Sequence, residues 1–158
     1  MTKKKIKVTP VLTILRADSS LRAEVKTGLG AVERAHLDRF HESVRSLFSD
    51  SLDIDKNLQK GREGENRWDY LLGHDRSKSV IAVEPHSAKQ QEVSVVIRKK
   101  EMARGQLAPH LVDGAKIVKW IWVASGRNQF ASTEKARLQL DQKGIEFVCP
   151  QLLGKHLP

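Results

Sequence analysis

Hydrophobic and polar positions change rhythm along this chain, and each rhythm predicts an element. "VTPVLTIL" (8–15) is β-branched and reads as an edge strand, because Pro10 cannot donate to a ladder. In "SSLRAEV", Ser20 with Glu24 nearby predicts a short helix. Between Ala31 and Phe48, Leu37, Phe40, Val44 and Leu47 recur at helical spacing and predict one apolar stripe. One turn back from Leu37 the stripe reaches Glu33, an acid on a core-facing line. That acid also lies in the first turn, where the helix dipole favours carboxylates. Residues 49–66 are polar and rich in turn formers, so they predict a loop with one short helical turn.

The second half is more regular. "RWDYLL" and "SVIAVE" read as two strands joined by the hairpin-like "GHDRSKS". From about Lys89 to Leu111, Val93, Val96, Ile97, Ala103 and Leu107 fall on one side of a helix. "KIVKWIWVAS" is apolar on both alternations apart from Lys119, as a strand at the sheet centre is. Ser132 can cap a last helix through Lys143, Gly144 stops it, and "IEFVC" closes the sheet. The expected class is α/β: a single domain with a central mixed β-sheet flanked by helices. Residues 1–27 form a basic arm and lead-in, and residues 28–158 the folded unit.

Charge narrows the partner. The 158 residues carry 28 Lys plus Arg against 19 Asp plus Glu, a formal +9. That excess favours a polyanion, and nucleic acid is the commonest. Arg98, Lys99, Lys100 and Arg104 concentrate it on the predicted helix. Those cations read as a solvated face, or as a phosphate-contacting surface if they continue to Lys116, Lys119 and the lysines among residues 3–7. Cys149 is the only cysteine, so an intrachain disulfide and a cysteine zinc site are excluded, which suits a reducing compartment. No apolar run reaches membrane-spanning length, and "MTKKKIKVTPVLTIL" lacks the apolar core and small-residue cleavage site expected of a signal. The expectation is a cytoplasmic protein with no membrane partner.

Two acids carry the candidate chemistry. Asp69 sits within an apolar run and Glu84 ends another. On adjacent strands their carboxylates can converge, and two such groups in a partly dry site repel unless a cation bridges them. Oxygen ligands of this kind suit Mg²⁺ or Mn²⁺. The plainer reading pairs Asp69 with Arg67 or Arg76, or leaves it at an exposed strand end.

An acidic helix, then Asp on one strand, then Glu-x-(Lys-like) on the next, then a helix and another strand, resembles the PD-(D/E)XK (restriction-endonuclease-like) nuclease superfamily over about residues 30–125. The resemblance implies a restriction-endonuclease-like fold and a Mg²⁺-dependent phosphodiesterase acting on DNA, sometimes RNA. It implies Asp69 and Glu84 as metal ligands and Glu33 as the helix acid that some branches use. "Glu84-Pro85-His86" departs from the pattern, since His86 stands where the lysine is usual. The lysine is then expected at Lys89, or at Lys99 or Lys100 on the following helix. A histidine ordinarily changes charge near neutral pH, and this residue type suits His86 to the role of proton acceptor. The same departure fits a catalytically inactive nuclease-like domain that binds nucleic acid or a protein within a larger assembly, as an adaptor or immunity-like subunit or a homodimer.

The remaining candidates are weaker. His36, His41, His74, His110 and His156 show no zinc spacing. Trp120 and Trp122 share a strand face with Val118 and read as core before they read as a stacking platform for bases. "TGLGAVE" is neither a P-loop nor a dinucleotide fingerprint.

Overall fold

The computed structural model describes residues 8–87, 92–125 and 134–158. It is α/β, built on a single open six-stranded mixed sheet flanked by helices. The strands are β1 (Lys26–Thr27), β2 (Phe48–Asp53), β3 (Tyr70–His74), β4 (Ser79–Pro85), β5 (Ile117–Val123) and β6 (Ile145–Val148), in spatial order 1-2-3-4-5-6. β1 to β4 run antiparallel, while β4–β5 and β5–β6 are parallel. The parallel pairs follow from the helices between them, α3 (Glu92–Leu107) and α4 (Glu134–Gln142), because a parallel return needs a crossover. Two short helices, α1 (Pro10–Ile14) and α2 (Ile54–Asn57), complete the set of α-helices among the described residues.

Both sheet faces are covered, and this explains the continuous apolar runs of β4 and β5. Val80, Ala82, Trp120 and Trp122 meet Val11, Val96, Leu107 and Leu140 in one layer. Ile81, Val83, Ile121 and Val123 meet Phe40, Val44 and Leu152 in the other. The tryptophans are core: Trp68 packs edge-on against Trp120, and Trp122 against Phe147, with 5.0 Å between ring centroids in each pair.

The second half of the chain folds as its pattern predicts. The β3–β4 hairpin turns at Lys78, in the left-handed region at φ 55°. Gly144 ends the last helix at φ +67°, and β5 lies between β4 and β6. The expected Ser132 cap and the lysines of residues 3–7 lie outside the described residues.

The first half departs from its pattern. "VTPVLTIL" contains α1 and not a strand: Pro10 occupies the first helical position, where its missing N–H costs nothing. The short helix near Ser20 is a 3₁₀ turn, Ser20–Glu24, capped by the Ser19 hydroxyl. The helix expected over 31–48 is two 3₁₀ turns, Arg34–Arg39 and Glu42–Leu47, broken at Phe40 and His41. The His41 ring accepts from Ser43 N–H and starts the second turn. Part of the expected 49–66 loop is β2, whose polar side chains are occupied by hydrogen bonds to backbone amides. Asp50 takes the Val11 and Leu12 amides, Ser51 takes the Ala31 amide, and Asp53 caps α2 through Lys56 N–H.

Candidate active site at the end of the central strands

The β3–β4 register pairs Tyr70 with Val83, so Asp69, the residue before β3, falls opposite Glu84. Asp69 therefore precedes its strand and does not lie within it. Alternation puts Asp69 with Leu71 and Glu84 with Ala82, on the face covered by α3. The two acids share one face.

Glu84 is fully buried and both its oxygens are taken. Oε2 accepts the Asp69 backbone N–H at 2.9 Å, and Oε1 accepts the Lys99 ammonium. Lys99 comes down from α3, one turn after the buried Val96. On the parallel side Trp122 lies opposite Glu84. The Trp122 indole N–H donates to the His86 carbonyl at 3.2 Å, and His86 N–H donates to Val123 O at 3.2 Å. These bonds hold His86 just past Pro85, where β4 ends. The His86 ring meets Glu92 Oε2 through Nε2 at 2.7 Å, and its Nδ1 lies 3.9 Å from Glu84 Oε1.

Asp69 differs from Glu84. Its backbone carbonyl accepts from Ile54 N–H at 2.9 Å, but its carboxylate makes no hydrogen bond or ion pair among the described residues. Arg67 goes to Asp55 at 2.9 Å instead. Burial pushes the Asp69 carboxyl up to about 7; Lys99 pulls it down, and Asp55, Asp53 and Glu33 push it further up. Burial and then the Asp69 charge push Glu84 up to about 8, against Lys99. Burial alone would lower Lys99, but the Glu84 charge and hydrogen bond, with Asp69, outweigh it and hold the ammonium above its ordinary range. The site is an acid pair sharing one internal cation.

Other sequence candidates fall variously around it. Glu33 is exposed and precedes a 3₁₀ turn, so it is not a helix acid; its N–H donates to the Tyr70 hydroxyl at 3.1 Å. Its charge still reaches Asp69. Lys89 lies outside the described residues. Of the α3 cations, Lys99 belongs to the acids, Arg98 and Arg104 are exposed, and Lys100 lies over the Trp120 ring at 5.4 Å. Sequence reasoning missed Glu92, whose only signal was an acid six residues after His86. It also missed Asp53 and Asp55, hidden in a stretch that read as loop.

Among the described residues no group of three or more His, Cys, Asp or Glu side chains is arranged to hold a metal ion. Asp69 and Glu84 supply two carboxylates. That fits a Mg²⁺ or Mn²⁺ ion completed by water and phosphate oxygens, as such ions usually are. The unpartnered Asp69 carboxylate is the observation that favours such a fit.

No family model, no curated protein and no solved structure matches this chain. No helix among the described residues is long and apolar enough to cross a membrane.

Proposed function

We propose that this protein is a divergent PD-(D/E)XK nuclease with a restriction-endonuclease-like fold, acting on DNA in preference to RNA. One observation carries the reading: Asp69 and Glu84 oppose each other on one face, and Lys99 reaches Glu84 from the following helix. This arrangement resembles the acid, acid and lysine set of the superfamily, with the lysine on α3 in place of the strand. Asp69 and Glu84 would hold Mg²⁺ or Mn²⁺. A divalent ion, when bound, polarises the phosphodiester and lowers the pKa of a bound water. Lys99 then balances the charge that grows on the phosphate oxygens. When Nε2–H of His86 donates to Glu92, Nδ1 is free to accept a proton from water.

The test is cleavage of single- and double-stranded DNA and RNA by the full chain with Mg²⁺ or Mn²⁺. Cleavage should fall about 100-fold or more in Asp69→Ala, Glu84→Gln and Lys99→Ala. No cleavage of any substrate, with divalent-ion binding unchanged in Asp69→Ala, overturns the reading.

A second reading follows from the Lys99–Glu84 pair itself, which already supplies Glu84 with a cation. On this reading the domain is a catalytically inactive nucleic-acid- or protein-binding subunit of a larger assembly. Steeply salt-dependent binding without cleavage selects it.

A further inference from the structure

Lys99 and Lys100 are consecutive on α3, about 100° apart around the helix. Lys99 serves the acids, whereas Lys100 opens a different feature. Beyond it, between the C-terminal half of α3 and the start of β5, lies a groove of about 700 Å³. Lys100, Arg104, Lys116 and Lys119 line it, and among the described residues no carboxylate does. Its floor is apolar and includes Ile117, Trp120 and the half-exposed Val118.

The four cations differ in how they are held. The Lys100 ammonium donates to Lys143 O at 2.6 Å and stands over Trp120. Lys119 pairs with Ile81 across β4–β5, so its side chain turns to the opposite sheet face, where it donates to His156 O at 2.8 Å and pairs with Glu146 at 3.3 Å, and the rim is left to Lys100, Arg104 and Lys116. Lys100 is fixed in place, which lowers the entropy cost of using it. Arg104 and Lys116 are exposed and form no ion pair among the described residues, so their charge is available to a ligand.

We propose that this groove binds single-stranded nucleic acid, with phosphates along the cationic rim and bases on the apolar floor. The choice of ligand rests on the nucleic-acid reading above. A single strand presents charged phosphates and unpaired apolar base faces together, which matches a rim and floor of this kind. A duplex keeps its bases stacked inside and offers the floor nothing. An acidic peptide would satisfy the rim, but the +9 excess over the whole chain favours the polymer of highest charge density.

The experiment is anisotropy of a labelled oligothymidylate with the full chain in EDTA, over a series of salt concentrations. The wild type should bind. Arg104→Ala/Lys116→Ala should bind about tenfold more weakly, with a log–log salt slope smaller by about 1.4, for two phosphate contacts on a single strand. Both sites are exposed, so an unchanged melting curve will show that the variant folds. Asp69→Asn should bind at least as tightly as wild type, and an unlabelled duplex should compete poorly. Unchanged binding in the double variant overturns the groove. So does loss of binding in Asp69→Asn instead, equal competition by duplex, or stronger competition by polyglutamate. The nuclease reading fails separately, if Mg²⁺ brings no cleavage while groove binding persists. The groove fails alone if cleavage depends on Asp69 but binding ignores Arg104 and Lys116.

Discussion

The backbone N–H of Asp69 holds the carboxylate of Glu84 at 2.9 Å across the start of the β3–β4 pair. One acid thus helps to satisfy the other. The Lys99 ammonium takes the remaining Glu84 oxygen, and the Asp69 carboxylate receives nothing comparable. Two formal negative charges share one positive charge in a largely dry site. The behaviour of the site under mutation and pH follows from that imbalance.

Lys99→Met should destabilise the fold by about 3 kcal/mol at alkaline pH, because it leaves Glu84 buried and ionised without a cation. In acid the loss should shrink, since Glu84 then takes a proton in place of the ammonium. Lys99→Met/Glu84→Gln should recover most of the stability, as removing both charges of a buried pair is often near neutral. Urea unfolding of the two variants at several pH values checks this. A loss independent of pH would mean that the lysine stem, and not its charge, is what matters.

Raised carboxyls also set a pH slope for the wild type. Asp69 is pushed up to about 7 by burial and Glu84 to about 8, both above their unfolded values near 4. Between those limits the folded chain binds more protons than the unfolded one. Their contribution is therefore full in acid and is lost as pH rises through the folded values. Each group can add at most about 1.4 kcal/mol per pH unit to that fall. Asp69→Asn should flatten the curve and gain on the wild type above neutrality. Parallel curves for the two proteins would remove Asp69 as a source of the slope.

How much of this was legible in the sequence depended on where side-chain demands were met. β4 and β5 were readable because both faces are buried, so every position from Val80 to Val83 is apolar. The acid pair was readable because Asp69 and Glu84 interrupt such runs. β2 was not, because "FSDSLD" looks polar while almost all of it is buried. Its Asp50 and Ser51 bond to amides 39 and 20 residues away, and such long-range bonds leave no local trace. The stripe Leu37, Phe40, Val44 and Leu47 suited a helix equally well. Serines at 43, 46 and 49 are poor helix formers, and they left the backbone free to take tighter turns. Lys99 could be named only as one of several lysines, since its place over Glu84 depends on the helix crossing.

Gly73→Ala tests the anchoring of α1. A Cβ at Gly73 would meet Asp50 Oδ1 at 1.9 Å, and that carboxylate holds the Val11 and Leu12 amides at 3.1–3.2 Å. Displacing it leaves buried amides unpaired and should cost about 2–4 kcal/mol. Asp50→Ala should cost a similar amount, and the double variant little more than either alone, because both changes break the same contact. Full additivity in chemical denaturation would place the damage elsewhere.

Divalent ions and protons should compete for the same oxygens, because a carboxylate must be ionised to act as a ligand. Below about pH 5 both Asp69 and Glu84 hold protons in the folded chain, given values raised to about 7 and 8. Mg²⁺ should then leave the melting temperature unchanged. Near pH 9 Asp69 is ionised and unpartnered, so Mg²⁺ at tenfold its dissociation constant should add about 1.4 kcal/mol. For a chain of this length that is a rise of about 4 °C. Simple screening of a basic protein also raises stability, but it depends on ionic strength and not on Asp69. Sodium chloride at matched ionic strength therefore separates the two effects, and Asp69→Asn should abolish the Mg²⁺ increment while leaving the salt response intact. An increment that survives Asp69→Asn, or persists at acid pH, would place the ion elsewhere and remove the physical basis for metal-assisted cleavage at this pair.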